Sequence, residues 1–110
     1  MVSVEELFEK QKELQRVLGI EIKDDPMEVY YAINGIVQET MEALQEDTRW
    51  KETVFNRPGY KCTVNREKKI IELADVFIYL MTACIFSEVS MEELLEAVDK
   101  KTEQKLLKFS

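Results

Sequence analysis

The chain has 110 residues, of which 45% are hydrophobic and 34% are charged, with only three Gly and two Pro. This composition excludes a disordered tail, a collagen-like rod and a disulfide scaffold, and it has too few turn residues for an all-β sandwich. The 22 acidic and 15 basic residues leave a net charge of -7, so we expect no nucleic-acid binding through clustered Lys and Arg. We predict an all-α fold with a single domain over residues 1–110.

The first two of four predicted helices follow from hydrophobic periodicity. The first runs from about Val4 to Leu18, where Ser3 and Glu6 have the form of a capping box and Gly19 is a plausible stop. The second begins near Pro26, a good first-turn residue, and continues to about Asp47.

The other two predicted helices lie beyond the only long loop. The loop runs from Thr48 to Asn65, and loops of this length in small domains are often functional. The third helix runs from about Arg66 to Ser87 with Asn65 as its cap, and the fourth from a Ser90 cap to about Leu107.

The third predicted helix is unusual because it is apolar on every face. From Ile70 to Phe86 it reads IIELADVFIYLMTACIF, which is shorter than a membrane span requires, so we expect no membrane insertion. A helix that is apolar all round is buried all round. Three other short helices can hardly surround it, so we expect a homodimer or homotetramer to complete the core.

The absence of histidine restricts the possible chemistry. The chain has no His and only two Cys, Cys62 and Cys84, which excludes His-based zinc sites, catalytic triads and di-iron bundles. The stretch from Val4 to Arg16 is charged throughout, unlike a secretory signal, so we expect a cytoplasmic protein.

Two pairs of carboxylates stand out on the predicted helices. Glu72 and Asp75 lie three residues apart within the apolar third helix, and Glu39 and Glu42 have the same spacing on the second. Burying an unpaired carboxylate is costly, and only Lys68 has a favourable spacing to Glu72. A hard divalent cation with oxygen ligands, Mg²⁺ or alternatively Mn²⁺, would hold four such groups together. Alternatively, Glu39 and Glu42 belong, with Glu46, to a solvated face at the end of a helix.

These two motifs resemble those of the all-α nucleoside triphosphate pyrophosphatases. This superfamily includes the MazG-type house-cleaning enzymes and the dimeric deoxyuridine triphosphatases. The similar stretches are VQETMEAL and IIELADVFIYLM, while ELFEKQKELQ and TRWK are similar to the dimeric dUTPase branch. The stretch VDKKTEQKLLK is similar to the Lys-rich final helix of the family. Gln38 and Gln104 depart from the Glu and Asn that are common in relatives, and no Arg follows Gln104.

The resemblance implies a fold and a reaction. The fold is a four-helix bundle completed by oligomerisation, and the substrate is a nucleoside triphosphate. Water attacks the α-phosphorus with the help of Mg²⁺, and the products are a nucleoside monophosphate and pyrophosphate. The implied metal ligands are Glu39, Glu42, Glu72 and Asp75, and Glu39 is our choice for activating the water.

Several further residues are candidates for substrate contacts, each with a plainer alternative. The lysines would reach the β- and γ-phosphates, although Lys near a helix C-terminus is also expected from the helix dipole. Trp50 would stack on a base or else anchor the loop. Asn34 and Gln11 would form hydrogen bonds with the base or else ordinary hydrogen bonds within the protein. Tyr79 would reach the same pocket or pack in the core. The predicted substrate contacts are Lys51, Trp50, Lys100, Lys101, Lys105, Asn34 and Gln11.

Two other functions remain open for this sequence. One is a metal- or nucleotide-binding regulator with little or no turnover, which the substitution at Gln104 and the missing Arg favour. The other is an acidic helical interaction module, which accounts for the charge but not for two acids within Ile70 to Phe86.

Overall fold

The computed structural model describes residues 1–55 and 61–110. Within these residues the chain is all-α, with five helices and no β-strand, which confirms the predicted class. The four long helices begin and end within about two residues of the predicted bounds. None of the described helices combines the length and the hydropathy that a membrane span needs. The helices are α1 (Val4–Val17), α2 (Pro26–Glu46), α3 (Trp50–Val54), α4 (Arg66–Ile85) and α5 (Met91–Phe109).

The prediction of one uninterrupted loop from Thr48 to Asn65 is wrong, because α3 lies within it. At five residues, α3 is too short to show a hydrophobic period, and the side chain of its N-cap residue Arg49 does not bond to the backbone N–H groups of the helix. Pro58 and Gly59, which fall within the predicted loop, lie outside the described residues.

The predicted helix caps are confirmed at three positions. The side chains of Ser3, Asn65 and Ser90 each accept a hydrogen bond at 3.1 Å from the backbone N–H three residues later. At Ser90 the full capping box is present, because Glu93 also accepts a bond from the Ser90 N–H. These bonds satisfy N–H groups that a helix start otherwise leaves without partners.

The described chain forms two compact units, one of Met1–Val29 with Met81–Ser110 and the other of Tyr30–Leu80. The first unit contains the main hydrophobic core, in which Phe86 and Met91 are fully buried. The prediction of a single domain over residues 1–110 stays a prediction. The buried members of this core are Phe8, Met81, Cys84, Ile85, Phe86 and Met91.

In the second unit, a short backbone pairing joins the end of α2 to the start of α4. Asp47 and Val64 form an isolated antiparallel bridge, and the Thr48 N–H donates to the Thr63 carbonyl at 2.8 Å. The Thr48 hydroxyl accepts a bond from the Thr63 N–H, also at 2.8 Å. This pairing holds the end of α2 beside the start of α4.

Within the single chain, helix α4 is not buried on all sides, as expected if an oligomer completes its burial. Only its last part is buried, at Met81 and Ala83–Ile85. By contrast, Ile70, Ile71 and Phe77 are 52%, 58% and 42% exposed. The other helices of one chain therefore leave much of the first part of α4 exposed. A homodimer or homotetramer that covers the rest stays a prediction.

Candidate acidic site on α2 and α4

A close contact between α2 and α4 lies beside the predicted acidic residues. A Cβ atom on Gly35 would lie 2.6 Å from the Tyr79 ring carbons, so only glycine allows the ring to rest on the α2 backbone here. Gly35 lies one turn before Glu39, and Tyr79 lies one turn after Asp75. The contact thus sets the separation of the two helices next to the acids. For Tyr79 it supports packing rather than a substrate contact.

Three of the four predicted carboxylates come together in the second unit. Glu39, Glu72 and Asp75 each place one carboxylate oxygen within 4.8 Å of the others, and all three residues are half-buried. The Oε2 atoms of Glu39 and Glu72 are buried and have no hydrogen-bond partner among the described residues. Buried polar atoms rarely remain unpaired, so these two oxygens require a proton or a cation as a partner.

The neighbouring acids alter the protonation of Glu39. Glu72, which accepts a hydrogen bond from the protonated Glu39 carboxyl, is the largest cause of the change, followed by burial and by Glu42. Together they raise the pKa of Glu39 to about 7 from an ordinary value of 4.5. A carboxyl that resists ionisation near neutral pH indicates a local excess of negative charge.

The donor set fits a hard divalent cation. All the gathered ligand atoms are carboxylate oxygens, with no nitrogen or sulfur, which is the chemistry that Mg²⁺ and Mn²⁺ accept. A cation placed among them would give the two unpaired oxygens a partner.

Glu42 differs from the three gathered acids. Its side chain is exposed, and Gln38 Nε2 donates to its Oε1 at 3.4 Å. Glu42 still contributes to the raised pKa of Glu39, so its negative charge acts on the gathered acids. Its predicted role as a fourth ligand stays a prediction.

A second charged cluster lies at the junction of α2 and α4 and was missed in the sequence. Asp47 accepts hydrogen bonds from Arg49 Nε at 2.8 Å and Nη2 at 2.6 Å, and from Lys69 Nζ at 2.8 Å. Arg49 first and then Lys69 hold the pKa of Asp47 well below its usual range. The short spacing of Asp47 and Arg49 could have indicated their pairing, but Lys69 is 22 residues away and gives no local signal.

Trp50 lies in the wall of an apolar cleft of about 590 Å³ in the second unit. Its Nε1 donates to the Leu44 carbonyl at 3.1 Å, and Lys51 Nζ lies 5.7 Å from its ring centroid. The indole is therefore anchored within the chain, which supports the anchoring alternative without excluding stacking on a base. The cleft is lined by Thr40, Ala43, Leu44, Asp47, Arg49, Trp50, Lys69 and Leu73.

Four of the other predicted substrate contacts belong to the first unit, whereas the acids belong to the second. Lys100, Lys101 and Lys105 are exposed on α5, which belongs to the first unit. Gln11 on α1 also belongs to the first unit, and its Oε1 is buried without a hydrogen-bond partner among the described residues. Asn34 is in the second unit, exposed on α2. The roles of these residues stay predictions.

Comparison with known proteins gives no relative: no family model, no curated protein and no solved structure matches the chain. The resemblance to the all-α pyrophosphatases therefore rests on the two acidic motifs and the shorter stretches around them.

Proposed function

We propose that the chain is a Mg²⁺-dependent nucleoside triphosphate pyrophosphohydrolase that removes unwanted nucleotides from the cellular pool. The observation that carries the proposal is the convergence of Glu39, Glu72 and Asp75, with two buried carboxylate oxygens left without partners. The motif resemblance and the all-α fold support it. The expected products are a nucleoside monophosphate and pyrophosphate.

The residues of the acidic site have separate roles in this proposal. Glu39, Glu72 and Asp75 would hold the cation, and Glu42 is the candidate for a fourth ligand. A bound Mg²⁺ neutralises phosphate oxygens and lowers the pKa of a nearby water. Glu39 accepts a proton from the attacking water, whose oxygen bonds to the α-phosphorus as the bond to the bridging oxygen breaks. The leaving pyrophosphate carries away that bridging oxygen.

Substrate binding uses the cations that the resemblance implies. Lys51 adjoins Trp50 on α3, in the same unit as the acids, so it is the first candidate for a phosphate contact. Lys100, Lys101 and Lys105 supply further positive charge from α5. Trp50 closes one wall of the cleft, and Asn34 and Gln11 are candidates for contacts to the base.

The fold becomes a four-helix bundle of the pyrophosphatase type through oligomerisation. Support comes from the exposed apolar residues on both helices of the acidic unit, among them Tyr30 and Val37 on α2 and Ile71 and Phe77 on α4. Exposed apolar surface of this extent is typical of protein–protein contacts.

The test is a panel of canonical and modified nucleoside triphosphates, scored for pyrophosphate release with Mg²⁺, with Mn²⁺ and with EDTA. We expect release that requires the metal and is abolished by Glu72→Gln. The matched control is Glu13→Gln, which removes an exposed ion pair with Arg16 at 3.3 Å and should retain activity.

Other outcomes of the same panel favour the alternatives. Metal-dependent nucleotide binding without release of pyrophosphate, by protein shown to be folded, would indicate a regulator. A folded protein that binds neither metal nor nucleotide would be the helical interaction module.

A further inference from the structure

The second half of α5 carries an apolar stripe that the chain itself leaves uncovered. Every residue from Leu95 to the end of the helix is exposed. Leu95, Val98, Leu106 and Phe109 are between 46% and 78% exposed, and together with Thr102 they lie at spacings of three and four residues. That spacing places them on one face of the helix.

The stripe continues a face that is packed at the start of the helix. Met91 lies one turn before Leu95 on the same face, and it is buried in the core of the first unit. Helical turns without tertiary contacts are only marginally stable in water, because their stability comes mainly from burying an amphipathic face. The stripe therefore needs an occupant that extends the packing that Met91 begins.

The charges beside the stripe are sorted by sign. At 100° per residue, the acids fall on one flank of the stripe and the lysines nearest to it fall on the other. Lys100 is the exception, since it lies close to the opposite face of the helix. The acidic flank is Glu96, Asp99 and Glu103, and the basic flank is Lys101, Lys105 and Lys108.

We propose that the occupant is α5 of a second copy of this chain, packed parallel to the first. A two-fold axis along the helices brings the acidic flank of each helix against the basic flank of its partner. An antiparallel pair, related by a two-fold axis across the helices, would bring like flanks together. Charge complementarity thus selects both the partner and the direction of pairing.

This contact differs from the exposed faces of α2 and α4, and it does not depend on the proposed enzymatic activity. It uses residues 95–109 of the first unit only. If both contacts form, the assembly is larger than a dimer. A test must therefore detect the α5 pairing itself and not simply the mass of the oligomer.

Disulfide cross-linking of the full chain provides that test. In a Cys62→Ser background, Leu95→Cys places a thiol on the stripe, and Ala97→Cys places one on the far side of the helix. Under mild oxidation we expect about tenfold more cross-linked dimer from Leu95→Cys, because only this thiol lies within disulfide distance of its own copy. High salt before oxidation should reduce the yield, since it screens the flanking charges.

The direction of pairing is tested by mixing Leu95→Cys protein with Phe109→Cys protein and identifying the linked peptides by mass spectrometry. Parallel pairing predicts links between identical positions only. Predominant links between positions 95 and 109 would overturn the parallel arrangement. Equal yields from Leu95→Cys and Ala97→Cys would overturn the α5 contact altogether, and the stripe would then belong to a different partner.

Discussion

Glu39 is the residue at which the electrostatic conflict of the acidic site is clearest. Its carboxyl lies close to those of Glu72 and Asp75, and Glu72, burial and Glu42 together raise its pKa to about 7. Without a cation, the group must retain a proton or tolerate mutual repulsion at neutral pH. Both responses affect the stability of the fold, so they can be measured without any substrate.

The first prediction concerns the pH dependence of stability in EDTA. Between pH 4.5 and about 7 the native chain retains a Glu39 proton that the unfolded chain has released, so the free energy of unfolding falls as the pH rises. Glu39→Gln should remove this contribution, as should saturating Mg²⁺ in the wild-type chain. Urea unfolding at a series of pH values measures it. Glu13→Gln is the control and should keep the wild-type dependence on pH. If the free energy of unfolding of Glu39→Gln fell with pH as steeply as that of the wild type, the coupling of the carboxylates would be contradicted.

The second prediction concerns Asp47, whose pKa is shifted in the opposite direction. Arg49 and Lys69 stabilise its ionised form, so it contributes stability above its ordinary pKa of 3.8, and this contribution is lost as the pH falls towards its lower native value. Asp47→Asn should therefore destabilise the chain at neutral pH, with a smaller difference from wild type in acid. Denaturant unfolding of both proteins tests this. Asp24→Asn, at an exposed position, is the control. An equal loss of stability in this control would contradict the stabilisation of Asp47 by Arg49 and Lys69.

At the scale of elements, local signals predict the long helices well. Gly19 stops α1 with φ 77°, and the N–H groups of Gly19 and Ile20 donate to carbonyls of the last turn at 3.0 Å. Such caps depend on a few neighbouring residues, as does hydrophobic periodicity. Helix α3 is too short for periodicity to reveal it, and the bond between Asp47 and Lys69 joins residues far apart in the chain. Both therefore required the structure.

The third prediction compares the two left-handed positions that end helices. Glu88 has φ 56°, and the Val89 N–H donates to the Cys84 carbonyl at 3.0 Å, as in the cap at Gly19. Glu88→Gly should raise the free energy of unfolding by about 0.5 kcal/mol, since relief of backbone strain exceeds the added entropy of the unfolded chain. Gly19→Ala should lower it by about 0.5 kcal/mol, because the same backbone strain exceeds the reduced entropy of the unfolded chain and open space around the Cβ position excludes a clash. Thermal unfolding measures both, and changes of the same sign would contradict the account.

The fourth prediction concerns the close contact of α2 and α4. Gly35→Ala should cost about 1–3 kcal/mol of stability, because the new methyl group overlaps the Tyr79 ring and the two helices must separate. Separation of the two helices also increases the distance between Glu39 and Glu72, so Mg²⁺ binding should weaken. Urea unfolding and calorimetric titration measure the two effects. In the double variant with Tyr79→Ala, the cost of Gly35→Ala should largely disappear, and simple additivity would contradict the overlap.

For the whole molecule, the sequence identified the acids but not their final grouping. Glu39, Glu72 and Asp75 meet as their i,i+3 spacing on two facing helices predicted, whereas Glu42 stays exposed beside Glu39 and is paired with Gln38. Spacing along one helix indicates a face, but it does not determine which side chain crosses to the neighbouring helix. The extent of exposed apolar surface also emerged only from the structure, because burial depends on how many helices surround α4.

Manganese titration at neutral pH, followed by electron paramagnetic resonance, tests the central claim most directly. If Glu39, Glu72 and Asp75 form the site, the wild-type chain binds Mn²⁺, Mg²⁺ displaces it, and Glu72→Gln weakens binding about tenfold or more because it removes a charged ligand. The control variant Glu13→Gln should bind Mn²⁺ with the affinity of the wild type. Equal Mn²⁺ affinity in wild type and Glu72→Gln would show that the three carboxylates do not form a metal site, and the proposed hydrolysis would lose its basis.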